Sequence, residues 1–354
     1  MRNPVRTAIV GIGNCASSLV QGVEFYGGEA AGEDATGLMR QRIGPYTVSS
    51  LEFVAAFDVS SRKVGKDLAD AIFEPPNETL VFAKVPQTGV EVLRGPVLDG
   101  LSTLYRSKVT ESPGPPADVV AALRSARADV LISYLPVGSQ QAAEFYAAAA
   151  IEAGCAFVNC MPASVAADPG WAQRFTAAGL PVIGDDIKSQ VGATILHRVL
   201  TRLFEDRGVR LERSYQLNMG GNMDFLNMAE PDRARSKEIS KVRSVNSQLS
   251  TQLPDDLLTA GLHYVPWLGD RKTASIRLEG AGFGRAPITV DVRLDVWDSP
   301  NSAGVAIDAL RYARVALDRG IAGPVTEACA YLMKSPPVQF PDDVAKRNLD
   351  RFAQ

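Results

Sequence analysis

The chain has 354 residues, enough for two folded units, of which 46% are apolar and 22% charged. A net charge of −3 with no basic block gives no footing for nucleic acid, and the apolar runs are far too short to span a bilayer. Four scattered cysteines without a C-x-x-C pair fit reduced thiols in the cytoplasm, and two histidines give little support to a histidine-built zinc site or a Ser-His-Asp triad, so acid–base work falls to Lys, Asp and Glu.

Val5 to Val10 is a β-rich run leading into Gly11-Ile12-Gly13-Asn14-Cys15-Ala16, followed by a helix-like segment with Leu19, Val20, Val23 and Phe25. Strand, G-x-G-x-x-A and helix in that order make a dinucleotide-binding turn. Gly11 allows the tight turn, Gly13 lets a pyrophosphate reach the backbone, and Ala16 lets the helix pack close. Asn14 and Ser17 bring polar groups near the phosphates. A glycine turn without a coenzyme is the plainer alternative. Leu51 to Val59 reads as the second strand, with Asp58 at its end, where the acid that binds a ribose belongs. The usual gap of about 20 residues is exceeded, because a Gly-rich polar insertion, 27–50, intervenes. Asp58 favours NAD over NADP, and Arg62 and Lys63 close by weaken that preference.

Residues 66–118, broken by Pro75-Pro76, Gly95-Pro96 and Pro113 to Pro116, read as an elaboration between nucleotide-binding units. From Ala117 strand and helix alternate. Helices are expected to about Ala126, over Ala142 to Ala153 and near Pro169 to Ala178, and strands over Asp129 to Leu135, Ala156 to Cys160 and before Asp185. That rhythm predicts a doubly wound, mostly parallel sheet. Ligands gather outside the C-terminal strand ends of such sheets. Asp58, the Ser133–Gly138 loop, Asn159-Cys160-Met161-Pro162 and the turn at Asp185 to Ser189 are therefore expected on one rim. In that last turn paired acids and a lysine precede a helix start with Ile195, Val199, Leu200 and Leu203. Unpaired N–H groups there suit a phosphate or another anion, or the turn is an ordinary surface βα connection.

Beyond Thr194 the rhythm changes to an α+β pattern. Val209 to Asn218 is strand-like, and Thr273 to Leu278 and Ile288 to Val296 alternate like antiparallel strands. Lys237 and Lys241 share a helix face and suit either solvent or a shared anion. Asp298-Ser299-Pro300-Asn301-Ser302 is a helix-start signal before Ala303 to Leu317. Residues 1–190 are thus expected to form the dinucleotide-binding domain, with 303–354 returning to it, and 191–302 the catalytic and oligomerisation domain.

Five segments, taken in order, give a more specific signal than the glycine loop. They are Val10 to Leu19, Gly184 to Thr194, Leu217 to Asn227 (Leu-Asn-Met-Gly-Gly-Asn-Met-Asp-Phe-Leu-Asn), Val296 to Gly304, and Tyr331 to Pro337. Through them the chain resembles the myo-inositol-1-phosphate synthases, in their short prokaryotic form, over nearly its whole length. The resemblance implies conversion of glucose 6-phosphate to 1L-myo-inositol 1-phosphate: NAD-dependent oxidation at C5, enolisation at C6, attack of C6 on the C1 aldehyde, and return of the hydride. It places catalytic lysines at Lys237, Lys241, Lys272 and Lys334. The accompanying acids and amide are Asp186, Asp224, Asp298 and Asn222. The substrate phosphate falls to Ser189, with Gly192 and Thr194, and Ser133 and Asp185 join Gly11, Gly13, Asn14, Cys15, Ala16 and Asp58 on the coenzyme. A homotetramer and an activating monovalent or divalent cation are further implications.

The chemistry accounts for a lysine-rich site. Oxidation at C5, enolisation and cyclisation all create oxyanions, which fixed cations in a water-poor site stabilise, and clustered lysines lower one another's pKa so that one can act as a base. Lys237 is expected to accept the C5 hydroxyl proton with Lys334 beside that oxygen, and Lys241 and Lys272 to serve the aldehyde oxygen and the phosphate. Cys160 and Met161, and the segment 253–269, depart from the family pattern. An ordinary NAD-dependent sugar-phosphate dehydrogenase, a paralogue for a related hexose phosphate, and a non-catalytic dinucleotide-binding regulator are the competing readings.

Overall fold

The computed structural model describes residues 4–28, 36–250, 253, 257–258 and 262–353, without the side chains of 231, 232 and 234–238. In chain order the first part runs β1 (Val5–Val10), α1 (Asn14–Gly27), a small hairpin β2 (Arg42–Ile43) and β3 (Tyr46–Thr47), then β4 (Leu51–Asp58), α2 (Leu68–Ala71), β5 (Val92–Arg94) and α3 (Thr103–Arg106). It continues with α4 (Val119–Ser125), β6 (Val130–Ser133), α5 (Gln140–Ala153), β7 (Ala156–Asn159), α6 (Pro169–Ala177) and β8 (Pro181–Ile183). The second part has α7 (Ala193–Asp206), β9 (Arg210–Gly220), α8 (Met223–Met228), α9 (Pro231–Asn246), β10 (Leu257–Leu258), β11 (Leu262–Tyr264), β12 (Arg271–Ala281) and β13 (Pro287–Trp297). The chain then returns through α10 (Asp298–Asp318), β14 (Gly323–Pro324), α11 (Thr326–Leu332) and α12 (Asp342–Phe352).

The first sheet has seven strands in the order β14-β8-β7-β6-β1-β4-β5 and is parallel throughout. Its central strands β6 and β7 are buried at every residue, as expected of a parallel sheet covered on both faces. Winding reverses between β1 and β6, so the crevice for a ligand opens there. Local signals set the element ends. Asp118 and Asp168 accept hydrogen bonds from the backbone N–H groups of Ala121 and Trp171 at the starts of α4 and α6. Gly154 ends α5 at φ 80°, a left-handed conformation that glycine adopts without strain.

The second sheet lies between β8 and β14 in sequence. Its order is β10-β9-β12-β13, with β11 also beside β9; the long strands β9, β12 and β13 are antiparallel. α7 packs on one face, where Ala193, Phe204, Leu211, Ala274, Ile276 and Leu278 form a small core. The opposite face leaves Leu217, Met219 and Trp297 exposed. α10 starts five residues earlier than the apolar pattern suggests, at Asp298. Pro300 is tolerated because first-turn N–H groups have no partner within a helix. α10 packs against α1 and reaches β7 and β8, so the returning chain completes the first unit.

Candidate active site

Gly11 has φ +85°, and a Cβ there would lie 2.5 Å from the Tyr134 carbonyl oxygen. Only glycine lets β1 turn so close to the end of β6. Gly13 precedes α1, whose first turn has no side-chain cap, and a Cβ at Gly13 would meet open space. The free helix start therefore faces the crevice, as a pyrophosphate requires. Asp58 accepts hydrogen bonds from the backbone N–H groups of Ile12 (2.7 Å), Val59 (2.7 Å) and Ser60 (2.8 Å), which fix its carboxylate on the rim. Arg62 is exposed, whereas Lys63 is buried beneath the loop: its Nζ donates to the Ile12 carbonyl (2.5 Å) and to Asn77 Oδ1 (2.9 Å). Lys63 thus secures the glycine loop rather than standing ready for a 2′-phosphate.

One cavity runs from this loop to the second sheet. It is lined by Gly11, Gly13, Asn14, Cys15 and Asp58 at one end, and by Asp186, Ser189, Gly192, Thr194, Asn222, Asp224, Lys241, Lys272, Asp298 and Lys334 at the other. Lys334 pairs with Asp186 at 2.8 Å, and Ser240 donates to the other Asp186 oxygen at 2.7 Å. Lys272 pairs with Asp298 at 3.2 Å, and its Nζ stands 5.8 Å from the centre of the Phe225 ring. Lys241 is buried. Lys237 lies on α9, but its side chain is outside the described residues. Gly192 precedes α7, again without a side-chain cap, and a Cβ on it would crowd Ser189 Cβ at 2.9 Å.

Three residues expected on the coenzyme lie off the cavity wall. Asp185 turns inward, accepting from Asn159 Nδ2 (2.8 Å) and from the backbone N–H groups of Val165, Ala166 and Ala167 (3.0, 3.1 and 3.0 Å). Burial pushes its carboxyl up to about 6. Its four donors make it a staple for the loop after β7. Ser133 and Ala16 are fully buried or nearly so, and neither lines the cavity; Ala16 lies in α1 packed against the core. Asp186, by contrast, has φ +61°, and that left-handed turn sends the second acid of the pair to the opposite side. The departing residues Cys160 and Met161 also line the cavity; burial pushes the Cys160 thiol well above its ordinary range.

No motif or spacing in the chain points to Asp270. Its carboxylate accepts from Asn222 Nδ2 (2.9 Å), Ser299 Oγ (2.7 Å) and, longer, Asn14 Nδ2 (3.4 Å). It thereby joins the glycine loop to the residues that follow β9 and β13 at one end of the second sheet. Burial, with Asp298 nearby, raises it to about 6. Burial and the same two acids push the Cys15 thiol up to about 12, so this cysteine lacks the thiolate character of a nucleophile. The stretch read as an elaboration also contributes: Asn77, Leu98, Ser102 and Tyr105 line the coenzyme end. Its wall-forming role has no periodic pattern to betray it.

A doubly wound dinucleotide fold whose cavity ends in lysine–carboxylate pairs defines an enzyme that joins a redox coenzyme to the handling of an anionic substrate. The sequence profile of the myo-inositol-1-phosphate synthases matches residues 192–299. The chain is 57% identical over 354 residues to an inositol-3-phosphate synthase of Corynebacterium glutamicum, with 98% of each chain covered. It is also 57% identical over 349 residues to that of Mycobacterium tuberculosis strain H37Rv, covering 98% of this chain and 95% of that one. The crystal structure of Ari2 superposes with a TM-score of 0.79 at 37% identity, covering 99% of both chains. The chain belongs to the inositol-3-phosphate synthase family.

Proposed function

We propose that the chain converts D-glucose 6-phosphate to 1L-myo-inositol 1-phosphate, and that the residues around the cavity divide the work as follows. The observation that carries the reading is the meeting, in one cavity, of the dinucleotide loop with the Lys334–Asp186 and Lys272–Asp298 pairs and Lys241. NAD fits the free α1 start, the open space before Gly13 and the fixed carboxylate of Asp58; when bound, it supplies a hydride acceptor that is restored within the turnover. Gly11, Gly13, Asn14 and Cys15 would flank its phosphates and Asp58 its ribose hydroxyls.

Ser189, Gly192, Thr194 and the α7 N-terminus would hold the substrate phosphate. Lys237 takes the proton from the C5 hydroxyl, with Lys334 beside that oxygen and Asp186 fixing the ammonium. Lys272, held by Asp298, and Lys241 stabilise charge at the aldehyde oxygen and the phosphate. Asn222 caps α8 through the Asp224 and Phe225 N–H groups and orients Asp270. Among the described residues no three His, Cys, Asp or Glu side chains are grouped for a metal ion.

The division of labour follows the two sheets, with 1–190 and 303–354 holding coenzyme and 191–302 supplying most of the substrate end. The face bearing Leu217, Met219 and Trp297 suits association into a homotetramer, checked by analytical ultracentrifugation. Cytoplasmic residence follows from the need for NAD and a sugar phosphate. To test the function, the protein is incubated with glucose 6-phosphate and NAD, and the product is followed by phosphorus NMR with absorbance at the NADH band. A cyclitol phosphate without net NADH is expected. NADH accumulation without the cyclitol would replace the synthase reading with a simple dehydrogenase.

A further inference from the structure

Behind the catalytic turn, off the cavity wall, three ionisable side chains meet in the interior. Arg198 on α7 has no exposed surface and Lys188 is 2% exposed. The Arg198 guanidinium grips Asp342, the first residue of α12, with Nε to Oδ2 at 2.9 Å and Nη2 to Oδ1 at 2.8 Å. Its Nη1 donates to the Ser244 carbonyl (2.5 Å), Ser244 Oγ (3.1 Å) and Ser247 Oγ (2.9 Å) at the end of α9, and Nη2 also reaches the Phe340 carbonyl (3.2 Å). Lys188 Nζ donates to the Ala330 carbonyl at 3.0 Å and lies 3.5 Å from Asp342 Oδ1. None of the chemistry above uses these groups.

Three stretches that reach the cavity from different directions share this anchor. Lys188 sits in sequence between Asp186 and Ser189. Ser244 lies about one helical turn beyond Lys241 on α9, and Ala330 precedes Lys334 by about one turn of α11 and its exit. Two cations buried around one carboxylate are a poor choice for stability alone, since apolar residues of the same volume often do as well or better. Their geometric value is different, because a planar fork fixes direction as well as distance. α9 carries Arg233, Arg235, Lys237, Glu238, Lys241 and Arg243, so it has little apolar surface with which to set its own position.

We propose that Arg198, with Asp342 and Lys188, forms a positioning set that fixes the Lys241 face of α9 against Asp186 and Lys334. It acts on the substrate end of the cavity and leaves the coenzyme end alone. The proposal rests on the synthase reading, and its test keeps the two apart. Ser244→Ala with Ser247→Ala cuts the side-chain bonds from Arg198 to α9 without unpairing a buried charge. Arg198→Lys keeps the charge beside Asp342 but lacks the fork. For each, kcat, the KM for glucose 6-phosphate, the Kd for NAD and Tm are measured on the full chain.

The serine pair is expected to lower kcat about tenfold with the NAD Kd changed less than about twofold. Arg198→Lys is expected to keep NAD affinity and most of the Tm while kcat stays equally low. A purely structural anchor would instead recover kcat with Tm in Arg198→Lys. That recovery, an unchanged kcat in the serine pair, or an NAD affinity that falls in step with kcat would each overturn the proposal. If Arg198→Lys fails to fold, the uncharged serine pair decides. A wild-type protein that makes no cyclitol phosphate removes the synthase reading; an active wild type with unaffected variants removes only the positioning role.

Discussion

Asp186 keeps a φ of +61° at a cost of roughly 1–2 kcal/mol for a residue with a Cβ, and in return its carboxylate meets Lys334 and Ser240. Asparagine tolerates that conformation. Asp186→Asn is therefore expected to fold with a Tm near the wild type, yet to lose roughly two orders of magnitude in kcat as Lys334 loses its counter-charge. Near-normal turnover would remove the pair from the chemistry. Lys272→Ala should abolish turnover while NAD affinity stays nearly intact, because Lys272 bonds to Asp298 rather than to the glycine loop. Titration calorimetry with NAD, run beside the assay, separates the two. At this scale the sequence named most of the cavity's charged groups, though through kinship with known sequences rather than spacing. The acids of the 185–186 pair look alike in the chain, and only a backbone angle tells the inward staple from the outward partner. Asp270 was invisible because its three partners lie up to 256 residues away.

The elements themselves were far more legible. The strands and helices of the parallel sheet follow from apolar runs punctuated by Gly, Pro and capping acids, and β9, β12 and β13 from alternation. What pattern alone missed was the wall made by residues 77–105, where chain direction is set by tertiary contacts: Gln21 Oε1 accepts from Phe82 N–H at 2.9 Å, and Asn14 Oδ1 from Glu78 N–H at 2.7 Å. α7 offers a test at this level. Its start is uncapped, so its first N–H groups remain for an anion, and Gly192 leaves Ser189 its place. Gly192→Ala should raise the KM for glucose 6-phosphate severalfold while the NAD Kd holds; a KM identical to wild type would mean that the phosphate sits elsewhere.

Across the whole molecule, buried ionisable groups set how stability varies with pH. Burial pulls His197 from 6.5 down to about 4, so the fold prefers the neutral ring. Between those values the unfolded chain binds more protons, and the stability His197 allows is lost as the pH falls from 6.5 towards 4. Asp185 and Asp270 act in the opposite sense. Both rise from 3.8 to about 6, so their contribution is present below 3.8 and lost as the pH rises through about 6. The terms partly cancel in the wild type. His197→Gln isolates one of them. Relative to wild type it should gain up to roughly 3 kcal/mol between pH 6.5 and 4, read from urea unfolding at each pH. A constant difference would show that His197 titrates alike in both states.

The insertion of the second sheet between β8 and β14 has a mechanical corollary. The chain crosses from one sheet to the other twice, once through 184–192 and once at 297–298, and these crossings carry Asp186 and Asp298. Noncovalent ties fill the span between the crossings: Asn14 Nδ2 reaches Asp270, Arg233 donates to the Gly138 and Asp99 carbonyls, and Arg198 grips Asp342. The halves are therefore joined on several sides of the cavity as well as through the chain, and the carboxylates that hold Lys334 and Lys272 sit where the covalent crossings enter that frame.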